Sequence, residues 1–141
     1  MPMTTHLDIV SAEEEIFNGR AQMVIAMGSQ GELGIAPNHA PLLTNLVPGT
    51  VRVITQHGEE QIFYVSGGML EVQPHLITIL ADTAARAGDM DEAAAKEAEM
   101  KARELLNDQS AEIDYSKATA ELAEAMAQLR TIQSLRRKAG K

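Results

Sequence analysis

The chain of 141 residues contains no cysteine. Disulfides, thiolate metal centres, iron–sulfur clusters and a cysteine nucleophile are therefore excluded. There is no tryptophan, and aromatics are only 3% of the residues: Phe17, Phe63, Tyr64 and Tyr115. The core must be aliphatic, and platforms for stacking nucleobases are scarce. Positive charge is also in short supply, with 12 Lys and Arg against 20 Asp and Glu and a net charge of −8. That balance speaks against nucleic acid as a partner held by broad phosphate neutralisation. No apolar run approaches the ~18–20 residues that cross a bilayer, and Met1 to Asp8 has neither a basic region nor an apolar signal core. The expectation is a chain without direct membrane insertion.

What is present falls into two compositional halves. All five prolines lie between Pro2 and Pro74, and the glycines run from Gly19 to Gly88, with only Gly140 beyond. From Asp89 onward Ala, Glu, Lys and Leu dominate, the residues that favour helix. The spacing predicts two domains, 1–86 and 89–141, with Gly88 as linker.

The first half reads as short strands. His6–Val10, Ala21–Met27, Thr50–Thr55, Gln61–Val65 and Leu76–Leu80 alternate or are rich in β-branched residues. Turn signals stand between them: Asn18-Gly19, Ser29-Gln30-Gly31, Pro48-Gly49, His57-Gly58, Gly67-Gly68 and Gln73-Pro74. Short strands at roughly ten-residue spacing indicate an all-β sandwich or barrel. The second half reads as two helices. Asp89 to Glu92 resembles a capping box. Ala95, Ala98, Ala102 and Leu105 form one apolar stripe, and Ala118, Leu122, Ala125, Leu129 and Ile132 form a heptad seam. Asn107 to Ser110 is the expected turn and Asp114 the second cap. The stripes are rich in alanine, so the helices can approach closely while burying little area, and a hairpin held this weakly can open.

Charge is segregated along the hairpin. Residues 89–114 hold nine acids and three bases, whereas Arg130, Arg136, Arg137, Lys138 and Lys141 crowd the last twelve positions with no acid among them. The basic tip suits a membrane surface, a nucleic acid, an acidic protein partner, or the dipole at a helix C-terminus. It lacks the interleaved large apolar residues of a membrane helix, and an acidic protein surface is the best functional reading. No catalytic or metal constellation emerges. His6, His39, His57 and His75 are scattered, without ligand spacing. The loop Gly28 to Gly34 matches neither the dinucleotide nor the phosphate-loop pattern and reads as a tight turn. Ser66-Gly67-Gly68 lacks the flanking glycine of a nucleophile elbow.

Gly31-Glu32-Leu33-Gly34-Ile35-Ala36-Pro37-Asn38-His39-Ala40-Pro41-Leu42-Leu43-Thr44 resembles the signature of the epsilon subunit of bacterial F-type ATP synthase (the delta subunit of mitochondria). Leu7 to Glu13, Pro48-Gly49, Ser66 to Val72, Ala81 to Ala84 and the two-helix C-terminus are similar to the same family, so the resemblance covers essentially the whole chain. It implies a ten-stranded β-sandwich followed by a helix–turn–helix. It implies a non-catalytic rotor subunit of the central stalk, without a cofactor, at the cytoplasmic face of the bacterial inner membrane. It implies that such a subunit couples proton translocation to ATP synthesis and inhibits ATP hydrolysis through mobile C-terminal helices. The implied partners are the gamma subunit, the polar loops of the c-ring, and the alpha and beta subunits of the catalytic head. Carried over by position, Glu32 lies in a turn that meets the c-ring and His39 borders gamma. Ser110, Arg130, Arg136, Arg137 and Lys138 face the beta subunit.

One departure concerns ATP. Some members bind it through Ile/Leu-Asp-x-x-Arg-Ala, and here Asp91 is present but Ala94 stands in place of the Arg. Loss of a guanidinium removes the bidentate phosphate contact, so weak or absent ATP binding is expected. Two other readings stand beside the resemblance: a free-standing binding module for an acidic partner, and a small enzyme, for which no set of convergent titratable groups is visible.

Overall fold

The computed structural model describes residues 3–107 and 115–139. Nine strands are followed by a 3₁₀ turn and two helices: β1 (Thr5–Ser11), β2 (Glu15–Gly28), β3 (Gly31–Ile35), β4 (Leu42–Leu46), β5 (Gly49–Thr55), β6 (Glu60–Val65), β7 (Gly68–Gln73), β8 (Leu76–Ala81), β9 (Ala84–Arg86), the turn Ala87–Asp89, α1 (Glu92–Asn107) and α2 (Tyr115–Ala139). This is a β-sandwich plus a helical hairpin. Strands run in the order β1-β8-β7-β4-β2-β5-β6-β9, β3 pairs with β2, and β1 also pairs with β2. All pairs are antiparallel except β1–β8.

The ten strands implied by resemblance become nine among the described residues, because β2 is long enough to act twice. Over its first half, Glu15 to Ala21, it pairs with β1. Its register on β5 shifts between Ala21 and Met23, and Val24 to Gly28 pairs with β3. An irregularity of this kind bends a strand and raises its twist, which lets one strand serve both layers.

The core lies between the layers and is almost wholly aliphatic. Leu7, Ile9, Val24, Ile35, Val51, Val53, Val65, Leu70, Val72, Ile77 and Ile79 are buried in it. Alternation along each strand delivers them to one face, as in β5, where Gly49, Val51, Val53 and Thr55 are buried and Thr50, Arg52 and Ile54 are not. Phe63 supplies the aromatic centre, edge-on to Phe17 with ring centroids 5.7 Å apart. The Ser66-Gly67-Gly68 turn is structural. Both glycines have positive φ, and a Cβ on Gly68 would lie 2.1 Å from the Leu80 carbonyl oxygen. The Ser66 hydroxyl accepts from the Thr83 amide at 2.8 Å, which fixes the turn to the start of β9.

β6 departs from alternation: Ile62, Phe63, Tyr64 and Val65 are all buried. Phe63 and Val65 face the sandwich core, while Ile62 and Tyr64 lie on the opposite face, where α2 packs over β5 and β6. The hairpin is thus folded down on the sandwich.

Two expectations for α1 need adjustment. The cap of α1 is Asp91, not Asp89. Asp91 Oδ1 accepts from the Ala94 amide at 3.2 Å, and Asp89 ends the preceding 3₁₀ turn. The cap is therefore two residues later than expected, Ala94 stands where the box needs a Glu, and Glu92 opens the helix. Within α1, Ala95 and Ala102 are buried as expected, but Ala98 and Leu105 are exposed. Glu99 and Leu106 take the half-buried positions instead. A 4-3-4 seam replaces the 3-4-3 stripe because Glu99 can lie on the seam with its carboxylate paired to Arg103. The α2 seam at Ala118, Leu122, Ala125, Leu129 and Ile132 is buried or half-buried throughout. The expected turn residues Asp108 to Ser110 and the expected cap Asp114 lie outside the described residues.

Candidate interaction sites

The sequence-derived residues occupy three separate places. Glu32 is exposed at the β2–β3 hairpin. It does not lie in the turn itself: Ser29-Gln30 form the turn, and Glu32 is already on β3, opposite Met27. Two residues close this hairpin because Gly31 takes φ +128° directly after them. His39 lies beyond the other end of β3, half-buried, with Nδ1 2.7 Å from its neighbour's carbonyl, Ala40 O. Asn38 beside it adopts φ 65° and donates its amide to Pro74 O at 3.0 Å, which ties this loop to the β7–β8 turn. Ser110 lies outside the described residues.

Arg130, Arg136, Arg137 and Lys138 are exposed along the C-terminal half of α2. The last three fall in its final turn, where the dipole favours cations. This end sits against β5 and β6, not in open solvent. Arg136 pairs with Glu92 of α1, and Lys138 donates to the backbone carbonyl of Glu60. Antiparallel packing brings these ends together, as the contact of Arg103 with Met126 shows further along.

A second face of α2 holds the hairpin down. Ala127 and Thr131 are fully buried, and Gln128 is half-buried. The Thr131 hydroxyl donates to Ala127 O at 2.9 Å, so the Thr50 hydroxyl is the donor in the 2.8 Å bond between Thr50 and Thr131. The heptad reading passes over this face because its residues are small or polar. A run of Ala127, Gln128, Thr131 and Ser134 beside the seam is the signal that could have found it.

Between the start of α1, α2 and the β6–β9 edge is a cavity of about 270 Å³, lined by Tyr64, Thr83, Met90, Asp91, Ala94 and Gln128 among others. Its described lining contains no Lys or Arg. Asp91 already uses a carboxylate oxygen to cap α1. Burial pushes the Tyr64 hydroxyl up to about 12, the Glu124 charge adds to this, and Gln128 opposes it. That hydroxyl is buried beside Gln128, and among the described residues no group meets it with full hydrogen-bond geometry. Among the described residues no cluster of His, Asp or Glu could hold a metal ion, and no helix is long and apolar enough to cross a membrane.

The sandwich and its folded hairpin define a two-part chain in which one domain carries the other on its outer face. Known families narrow this further. Residues 4–87 match "ATP synthase, Delta/Epsilon chain, beta-sandwich domain" and residues 89–133 match "ATP synthase, Delta/Epsilon chain, long alpha-helix domain". The chain belongs to the ATP synthase Delta/Epsilon family of central-stalk subunits, which are generally non-catalytic. Among solved structures, it is similar to a chain of the Euglena gracilis mitochondrial ATP synthase, in a structure of its OSCP, F1 and c-ring. The identity is 20% over 99% of this chain and 83% of that one, with a TM-score of 0.72. A chain of the Tetrahymena thermophila mitochondrial ATP synthase central stalk and c-ring is similar at 15% identity, over 95% of this chain and 97% of that one, with a TM-score of 0.55. At these identities the likeness is one of fold.

Proposed function

We propose that this chain is a rotor subunit of the central stalk that restrains ATP hydrolysis through its hairpin. The observation that carries the reading is the seat of the hairpin. On the α2 side it offers Ala127, Gln128 and the buried Thr131, laid over Ile62 and Tyr64 of β6, with one part-buried threonine pair and exposed ion pairs around it. Such a seat can be left and regained, as a two-state regulatory element requires. In the released state Arg130, Arg136, Arg137 and Lys138 would meet an acidic surface of the catalytic beta subunit, with Ser110 near the same region. The alpha subunit would flank that contact. Glu32, exposed at a hairpin tip, would meet basic groups on the c-ring loops. His39, on a loop tied to the β7–β8 turn, would border gamma. The family and the fold support this arrangement. The chain would work peripherally at the cytoplasmic face of a bacterial inner membrane, coupling proton translocation to synthesis without a catalytic group or cofactor of its own.

ATP binding by the subunit itself should be weak or absent. Asp91 caps a helix, Ala94 offers no guanidinium, and the adjoining cavity has no described cation to meet phosphate charge. Calorimetry should register no micromolar ATP affinity. Affinity of that order, abolished by Asp91→Ala, would overturn this part of the reading.

The main test compares ATPase rates of the purified head complex carrying the full chain with those of the complex carrying the chain cut after Arg86. A clear rise on truncation is expected. An unchanged rate would remove the brake and leave the sandwich as a coupling piece between rotor parts.

A further inference from the structure

The basic end of α2 is engaged within the chain before any partner arrives. Arg136 reaches across 44 residues of sequence to Glu92: Nη1 donates to Oε1 at 3.2 Å, and Nη2 donates to Oε2. The pair joins the start of α1 to the end of α2 and closes the open end of the hairpin. Glu92 also holds Lys96 at 3.0 Å, and only 25% of its side chain is exposed. Two residues beyond Arg136, Lys138 donates to the Glu60 carbonyl oxygen, and the Glu60 carboxylate holds Arg52 of β5 at 2.7 Å. Arg136 thus ties α2 to α1, and Lys138 ties α2 to β6. Each helix end carries the charge its dipole favours, an acid at the start of α1 and bases at the end of α2.

We propose that this cluster is a latch, with Glu92 holding Arg136 and the Glu60 carbonyl holding Lys138, and that an acidic protein surface opens it by competing for the same cations. The identity of that surface rests on the stalk-subunit reading; the latch does not. Exposed pairs of this kind are individually weak. A competing row of carboxylates needs only a modest differential affinity to shift the balance. Glu92 is the informative position. It stands on α1, outside the basic tip, so replacing it weakens the latch and leaves the partner's target intact. Loss of Glu92 and loss of Arg136 therefore have opposite effects on the partner while loosening the same intramolecular pair.

Amide hydrogen exchange on the isolated full chain tests the latch. Glu92→Gln is expected to raise exchange across α2 by about two- to fivefold, with the sandwich strands unchanged. The swap Glu92→Arg with Arg136→Glu is expected to return exchange to the wild-type level. Exchange in α2 that stays at the wild-type rate in Glu92→Gln overturns the latch. In the head complex, Glu92→Gln should slow ATP hydrolysis by about two- to fivefold and Arg136→Gln should speed it. Faster exchange with unchanged hydrolysis in Glu92→Gln overturns the competition. If truncation after Arg86 also leaves hydrolysis unchanged, the brake itself has failed, and the exchange data still decide the latch.

Discussion

The molecule contains two buried interfaces built on opposite principles. Inside the sandwich, Leu7, Ile9, Leu70, Ile77 and Ile79 of the adjacent strands β1, β7 and β8 share one core with Val51, Val53 and Val65 of β5 and β6, and β-ladders join the strands. Under the hairpin, on the outer face of β5 and β6, Ile62 and Tyr64 meet a small-residue face of α2 at Ala127 and Thr131, with the Thr50–Thr131 hydrogen bond and a rim of charges around a cavity of about 230 Å³. Burial in the first removes large apolar surface from water, which stabilises strongly and irrespective of direction. Burial in the second involves fewer large side chains and leans more on hydrogen bonds whose net contribution is about 1 kcal/mol each. A single chain can therefore hold one domain fixed while the other stays close to release.

The largest effect should come from the first interface. Leu70→Ala leaves a cavity at a fully buried site and should cost about 2–5 kcal/mol, seen as a lower melting temperature of the whole chain. Thr131→Val should act more locally. It leaves the Thr50 hydroxyl without its acceptor, at a cost of about 1–2 kcal/mol, and raises hydrogen exchange in α2. Melting of the sandwich should barely move. A global loss equal to that of Leu70→Ala would show that the two regions unfold as one unit and would break the comparison.

The smallest effect is a dependence on alkaline pH. The Tyr64 hydroxyl titrates at about 12 in the folded chain, against 10.0 ordinarily. Between those values the folded chain keeps a proton that the unfolded chain has lost. Stability therefore falls as pH rises from about 10 towards about 12 and levels off above that. Tyr64→Phe should flatten this fall, measured as urea midpoints at about pH 9 and about pH 11. An equal fall in the variant would assign the alkaline sensitivity to other groups.

Legibility in the sequence follows the same division. Alternation exposed β1 and β5, and a run of β-branched and other strand-forming residues exposed β6 and β8. The strand pattern passed over β7, β9, the first part of β2, and β3 and β4. Gly31 to Ile35 carries two glycines, and Leu42 to Leu46 leaves Leu43 exposed, so neither shows a clean pattern. The α2 seam was visible because its large residues repeat regularly. The α1 seam was misplaced by one position because Glu99, a charged residue, occupies it. Glu32 and His39 were singled out only through the glycine- and proline-rich block around them. Arg86 gave no signal at all. Its guanidinium lies 5.4 Å from the Phe63 ring centroid and donates to Ile16 O at 2.6 Å, a clamp formed by residues far apart in sequence.

The sequence by itself determined an all-β sandwich or barrel followed by two helices, an aliphatic core and a charge-segregated hairpin. These follow from local propensity and periodicity, which act over a few residues. Only the tertiary structure decided where the hairpin rests and what its basic end holds. That outcome depends on the outer face of β6 being apolar at Ile62 and Tyr64, and on a small-residue face of α2 that fits over it. It also depends on antiparallel helices bringing Glu92 to Arg136. Each of these contacts joins residues distant in sequence, and no local pattern encodes which distant partner a small or charged side chain will meet.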